Sequence, residues 1–234
     1  MEKVFQDFRK SAPQLHTLRI GPGYYSYSFR SVGSKFPIHE DFLCDTERLR
    51  RVELTNCNIS WDSRLLTGLT RVNLDNCSKS NSSIIQVLHA LQRMPALTDL
   101  YLIDSIPDGS GGPSSYPVVD LPCLRTLYIS SCVNPMTALL RHITFPHSAI
   151  LNLTCKETHS AQVEFSNLLS FLATKYLSSL VMRTLSLRVD NILPYDLELT
   201  TPIIHDYCSS SQVSPFQLQL VLAWSSELSL APLP

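Results

Sequence analysis

One short pattern recurs along the chain and constrains its fold more than any other feature. L-x-x-L-x-L appears as "LHTLRI" from Leu15, "LRRVEL" from Leu49, "LTRVNL" from Leu69, "LTDLYL" from Leu97 and "LRTLYI" from Leu124. Weaker copies follow as "SAILNL" from Ser148, "MRTLSL" from Met182 and "PFQLQL" from Pro215. The last apolar positions are Ile20, Leu54, Leu74, Leu102, Ile129, Leu153, Leu187 and Leu220, so the steps are 34, 20, 28, 27, 24, 34 and 33 residues. With 37 leucines against seven glycines, the chain spends leucine repetitively.

Alternating apolar residues at the end of each copy predict a short strand with one buried and one wet face. A single strand of that kind cannot bury itself, but parallel stacking of successive units makes a ladder with a shared core. Most of the steps fall in the period of about 20 to 29 residues that marks leucine-rich repeats. The expected fold is an α/β leucine-rich-repeat solenoid, a curved parallel sheet on the concave side with helices and irregular returns on the convex side. It is expected as one domain of about eight units over 1–234, clearest over 15–187 and irregular over 188–234.

Three return segments read as helices. In "NSSIIQVLHALQRMP", Ile84, Ile85, Leu88, Leu91 and Met94 keep helical spacing behind an Asn/Ser cluster suited to N-capping. Phe165, Leu168, Leu169, Leu172 and Tyr176 repeat the spacing, and "PMTALLRHI" supplies a third case; "WDSRLLTGL" is a shorter return. Pro13, Pro95 and Pro122 each stand two residues before a motif, where an extended entry is needed. "PDGSGGPSSYP", from Pro107 to Pro117, predicts a surface loop at a strand end.

Cys57 and Cys77 each fall three residues past the last apolar position, the place where this kind of repeat puts Asn or Cys. A thiol there is expected to turn inward and donate weakly to the carbonyls of the bend. The same offset selects Ser105, Cys132, Lys156 and Asp190. A metal would need paired C-x2-4-C or matched Cys and His sets, and the nearest approach is the single C-x3-H of Cys155 and His159. There is no G-x-S-x-G, H-E-x-x-H or glycine loop followed by G-K-[ST]. Neither catalysis nor a cofactor is expected.

Nineteen basic residues against 20 acidic ones give a net charge of -1, a poor match to nucleic acid or anionic lipid. "MEKVFQDFRKSAPQ" has no apolar core of a secretory signal, and no window resembles a membrane span. The expected location is cytoplasmic or nuclear, with reduced cysteines. Sequons at Asn58, Asn76, Asn81 and Asn152 are then by-products of the repeat.

What remains is the wet face of the sheet. Strand alternation projects one row of Thr17, Arg51, Arg71, Asp99, Thr126, Ile150 and Thr184, and a second of Arg19, Glu53, Asn73, Tyr101, Tyr128, Asn152 and Ser186. A third begins Gly21, Thr55, Asp75, Ile103. Arg51 beside Arg71 and Tyr101 beside Tyr128 is a mixture typical of protein interfaces. Arg51, Glu53, Arg71, Asn73, Asp99, Tyr101 and Tyr128 are the candidate contacts to a protein target of unknown identity.

The phrases "LRRVELTNCNISWDSRLLTGLT", "LHALQRMPALTDLYLIDSIP", "VDLPCLRTLYIS", "LLRHITFP" and "FSNLLSFLATKY" extend beyond the generic template. Together they resemble the repeat region of F-box and leucine-rich-repeat proteins abundant in mushroom-forming fungi. The resemblance implies a curved repeat domain that selects a target for ubiquitin transfer. An F-box opens with a leucine-proline signature, and no such pair precedes Leu15, so the resemblance covers about Leu15 to Leu187 and not the F-box. A cullin-complex adaptor is therefore an expected partner only where an F-box is supplied elsewhere. The alternative is a truncated repeat protein acting as scaffold or competitor with no ubiquitin link.

Overall fold

The computed structural model describes residues 12–21, 35–39, 42–43, 46–77, 82–108, 116–146, 148–157, 161–172, 174–175, 182–191, 197–200 and 216–224, with side chains described up to 154 and within 167–175. Thirteen strands are described: β1 (Thr17–Ile20), β2 (Phe36–Pro37), β3 (Arg51–Thr55), β4 (Cys57–Asn58), β5 (Arg71–Asp75), β6 (Asp99–Ile103), β7 (Val119–Asp120), β8 (Thr126–Ser131), β9 (Ile143–Thr144), β10 (Ile150–Glu157), β11 (Met182–Asn191), β12 (Leu197–Thr200) and β13 (Phe216–Trp224). The helices are α1 (Ile84–Gln92), α2 (Val133–Arg141) and α3 (Ala161–Leu172), and Arg64–Leu66 forms one 3-10 turn. The fold is α/β, and all eight copies of the leucine pattern end in a strand.

Six of those strands, β1-β3-β5-β6-β8-β10, stack in parallel in chain order. Four of these six motifs enter through the same turn. The amide of Leu15 donates to Ala12, that of Leu49 to Thr46, that of Leu97 to Met94 and that of Leu124 to Leu121, at 2.9 to 3.1 Å. Equivalent motif positions face each other from Leu18 and Val52 through Val72, Leu100 and Leu127 to Leu151. A second buried row joins Leu54, Leu74, Leu102, Ile129 and Leu153. Removing each such side chain from water stabilises by about 1.5–3 kcal/mol, so the leucine face drives assembly.

The helices cover that face. α1 buries Ile84, Val87, Leu88, Ala90 and Leu91, and its start is secured where the Ser83 amide donates to Gln86 Oε1 at 3.0 Å. α2 starts earlier than its apolar spacing suggests, at Val133, and buries Val133, Met136, Leu139 and Leu140 in the same core. Its carboxyl end is capped by Lys175, whose Nζ donates to the carbonyls of Leu140, Arg141 and Ile143 at 2.9, 3.3 and 2.9 Å. Leu140 and Arg141 close the helix and Ile143 begins β9, and a cation suits the negative end of the helix dipole. α3 ends at Leu172, with Leu168 and Leu172 buried; Tyr176, expected to extend it, lies outside the described residues. Most of the glycine-rich segment, 109–115, lies outside them too.

Two expectations need correction. Stacking in chain order stops after β10. β13 is inserted beside β10, β11 pairs on its far side, and β12 closes the sheet antiparallel to β11. Thr184 and Ser186, placed by the sequence next to Ile150 and Asn152, are therefore one strand further away: Ser186 faces Gln219, and Gln219 faces Asn152. The period of 34 and 33 residues before these last strands leaves enough chain for a crossover that the shorter units do not allow.

The second correction is Cys132, which is exposed rather than turned into the core. After β3, β5 and β6 the residue before the inward rung adopts a left-handed backbone, Asn56 at φ 56°, Asn76 at φ 53° and Asp104 at φ 48°. Asn and Asp tolerate that region and bend the chain there. Ser131 stands at the equivalent place in β8, and the strand simply runs on through it. The bend comes later, and Cys132 becomes the N-cap of α2.

Candidate protein-binding face

Where the bend is kept, the rungs form a regular hydrogen-bonded stack. Cys57 Sγ reaches the Thr55 carbonyl at 3.3 Å and the Ile20 carbonyl of the preceding unit at 4.0 Å. Cys77 Sγ meets Asp75 and Leu54 carbonyls, each at 3.2 Å. Ser105 Oγ does the same with Ile103 at 2.8 Å and Leu74 at 3.0 Å, and it also accepts from the Cys77 amide at 2.9 Å. A hydroxyl and a thiol thus do one job in consecutive units. The adjacent Cys57 thiol, and then burial, push the Cys77 thiol far up, so it stays protonated and donates. The Cys155 side chain and His159 lie outside the described residues.

Beside the rungs, Asn76 Nδ2 donates to Asn56 Oδ1 at 3.0 Å, tying neighbouring bends together. The sequence reading missed this second stack, although "TNC" and "DNC" carried the signal at the same offset.

These bends hold the strands in register, and the register aligns the open face. The seven candidate residues all lie on the face that the helices do not cover. In the first row Thr17, Arg51, Arg71, Asp99, Thr126 and Ile150 are paired strand by strand. In the second Arg19, Glu53, Asn73, Tyr101, Tyr128 and Asn152 follow the same order. Alternation places the two rows about 7 Å apart along the strands.

Cross-strand chemistry divides this face into charged and aromatic parts. Arg19 grips Glu53 with two bonds, Nε to Oε2 at 2.7 Å and Nη2 to Oε1 at 3.0 Å. Arg71 donates to Asp99 Oδ2 from Nε at 3.3 Å and Nη2 at 3.2 Å, and Thr98 Oγ1 adds a third donor at 2.8 Å. Partial burial pushes the Asp99 carboxyl up, but donation from Thr98 and Arg71 and the Arg71 charge outweigh it and hold the group below its ordinary range. Tyr101 and Tyr128 stack with ring centroids 6.1 Å apart and planes inclined by 29°. Tyr128 Oη lies 3.4 Å from Thr154 Oγ1. Asn73 sits between Glu53 and Tyr101, with its Oδ1 unpartnered.

Arg19 was placed in the second row by its spacing but not among the candidate contacts, although it neutralises one of them. The pairing could have been anticipated, because Arg19 and Glu53 occupy the same motif position in neighbouring units. Among the described residues no helix is long and apolar enough to cross a membrane.

No family model, curated protein or solved structure matches the chain.

Proposed function

We propose that the chain is a leucine-rich-repeat recognition module that binds a partner protein across its open face. The observation that carries this reading is the in-register surface of Arg51, Glu53, Arg71, Asn73, Asp99, Tyr101 and Tyr128 on a preorganised parallel sheet. Stacked tyrosines offer large contact area with little side-chain entropy to lose, and arginines add directional donors around them. Rigid strands keep that pattern fixed before a partner arrives, which lowers the cost of binding. The sequence resemblance to fungal F-box and leucine-rich-repeat proteins makes target selection for a ubiquitin ligase the role to test first. A cullin-complex adaptor enters only through an F-box supplied elsewhere.

Proximity labelling with the full chain and with Tyr101→Ala plus Tyr128→Ala tests the face. Partners of the natural chain should disappear from the double variant, and an unchanged set would contradict the assignment. Recovery of a cullin-complex adaptor with the targets would favour the ligase role; a stable partner without it would favour a scaffold or competitor.

A further inference from the structure

Resting on that reading, we infer the chemistry of the partner: an extended acidic segment carrying an aspartate or glutamate four residues away from a large apolar side chain. Arg19 with Glu53 and Arg71 with Asp99 are ion pairs, whereas the guanidinium of Arg51 has no hydrogen bond or ion pair among the described residues, its backbone amide alone donating to His16. Arg51 is exposed and faces Arg71 in register on the neighbouring strand. Asp99 meets Arg71 from its far side, on β6, so the side between Arg51 and Arg71 is a place for a second carboxylate, which would relieve like-charge repulsion and accept from both.

The sign of the face is also polarised. Arg51, Arg71 and Asp99 stand where their strands begin, two positive charges against one negative, while Asp75 ends β5 and Asp104 follows β6 at the other end. An incoming acid is therefore steered to the strand starts and away from the bends.

The apolar half of the pattern comes from Tyr101 and Tyr128, two and three strands from Arg51. Strands lie about 4.8 Å apart and successive residues on one face about 6.7 Å apart, so Arg51 and Tyr101 are separated by roughly 12 Å on the diagonal. An extended segment rises about 3.3 Å per residue, and side chains on one of its sides recur every second position. Positions i and i+4, about 13 Å apart, meet that span and face the same way. The acid would sit between Arg51 and Arg71, and the apolar group would lie on the stacked rings.

The test uses the full chain and synthetic ten-residue Gly/Ser peptides bearing one Glu and one Leu at separations of one to six, followed by fluorescence anisotropy. Binding should be strongest at a separation of four, weaken with salt, and fall when Glu is replaced by Lys. Arg51→Glu should cost about five- to tenfold in affinity and shift preference toward the Lys peptides, with Arg51→Lys close to the natural chain. Tyr101→Ala plus Tyr128→Ala should abolish binding of every peptide. Binding that needs the tyrosines but ignores peptide charge and Arg51 would overturn this inference and leave the open-face reading intact. Binding that ignores the tyrosines as well would overturn both. Absence of binding to any peptide would overturn the inference, and the labelling comparison would then decide the broader reading separately.

Discussion

The ends of β5 and β8 begin from the same leucine alternation and finish differently. After β5, Asn76 turns left-handed and Cys77 drops into the core as a hydrogen-bonded rung. After β8, Ser131 continues the strand and Cys132 emerges into solvent at a helix start. The two cysteines look equivalent when counted from the leucines. What separates them is the residue before each, because Asn accepts a positive φ at modest cost and Ser extends. The repeat is thus defined by two features together, apolar alternation and a residue able to bend the chain behind it.

The largest way to break the comparison is to remove the core that both strands share. Leu74→Ala should destabilise by about 2–5 kcal/mol, since Leu74 is fully buried between Leu54 and Leu102, as urea unfolding would measure. Next comes the rung itself. Ser105→Ala strips the Cys77 amide, the Leu74 carbonyl and the Ile103 carbonyl of a partner and should cost about 1–3 kcal/mol in the same assay. Because Ser already fills that slot in one unit, Cys77→Ser should cost less than Ser105→Ala, with no change in metal content.

The bend can be tested separately. Asn76→Ala forces an alanine to φ 53° and should cost about 1–2 kcal/mol, part of which Asn76→Gly recovers. Cys132→Ser, on the exposed side of the comparison, should stay within about 0.5 kcal/mol of the natural chain. A large loss there would mean that β8 keeps a rung after all.

A pH titration sharpens the contrast between the buried and open faces. The Asp99 carboxyl titrates lower in the folded chain than its ordinary value of 3.8, so it contributes stability above that value and loses it as pH falls through the folded pKa. Asp99→Asn should flatten the fall of the thermal midpoint below about pH 4, while Leu74→Ala should lower the whole curve without changing its shape.

Much of this was legible in the leucines. Their spacing located eight strands, their alternation separated the rows, and apolar periodicity with polar caps located α1. Arg51, Arg71 and Asp99, and likewise Glu53, Asn73, Tyr101 and Tyr128, could be lined up because each set holds one position of the repeated motif. The order β10-β13-β11 was not legible, because leucine alternation makes any of these strands a chemically acceptable neighbour for another. Nor was the fate of Cys132, which depends on the φ that Ser131 adopts. The ion pairs were half legible: register brings Arg19 to Glu53, but rotamers decide that both bonds form.

The central claim is that the leucine face makes the fold and the open face makes the contacts. Its most direct measurement takes Tyr101→Ala plus Tyr128→Ala and records urea unfolding beside proximity labelling. The expected result is an unfolding free energy within about 2 kcal/mol of the natural chain and loss of its labelled partners. A folded double variant that still labels the same partners would contradict it.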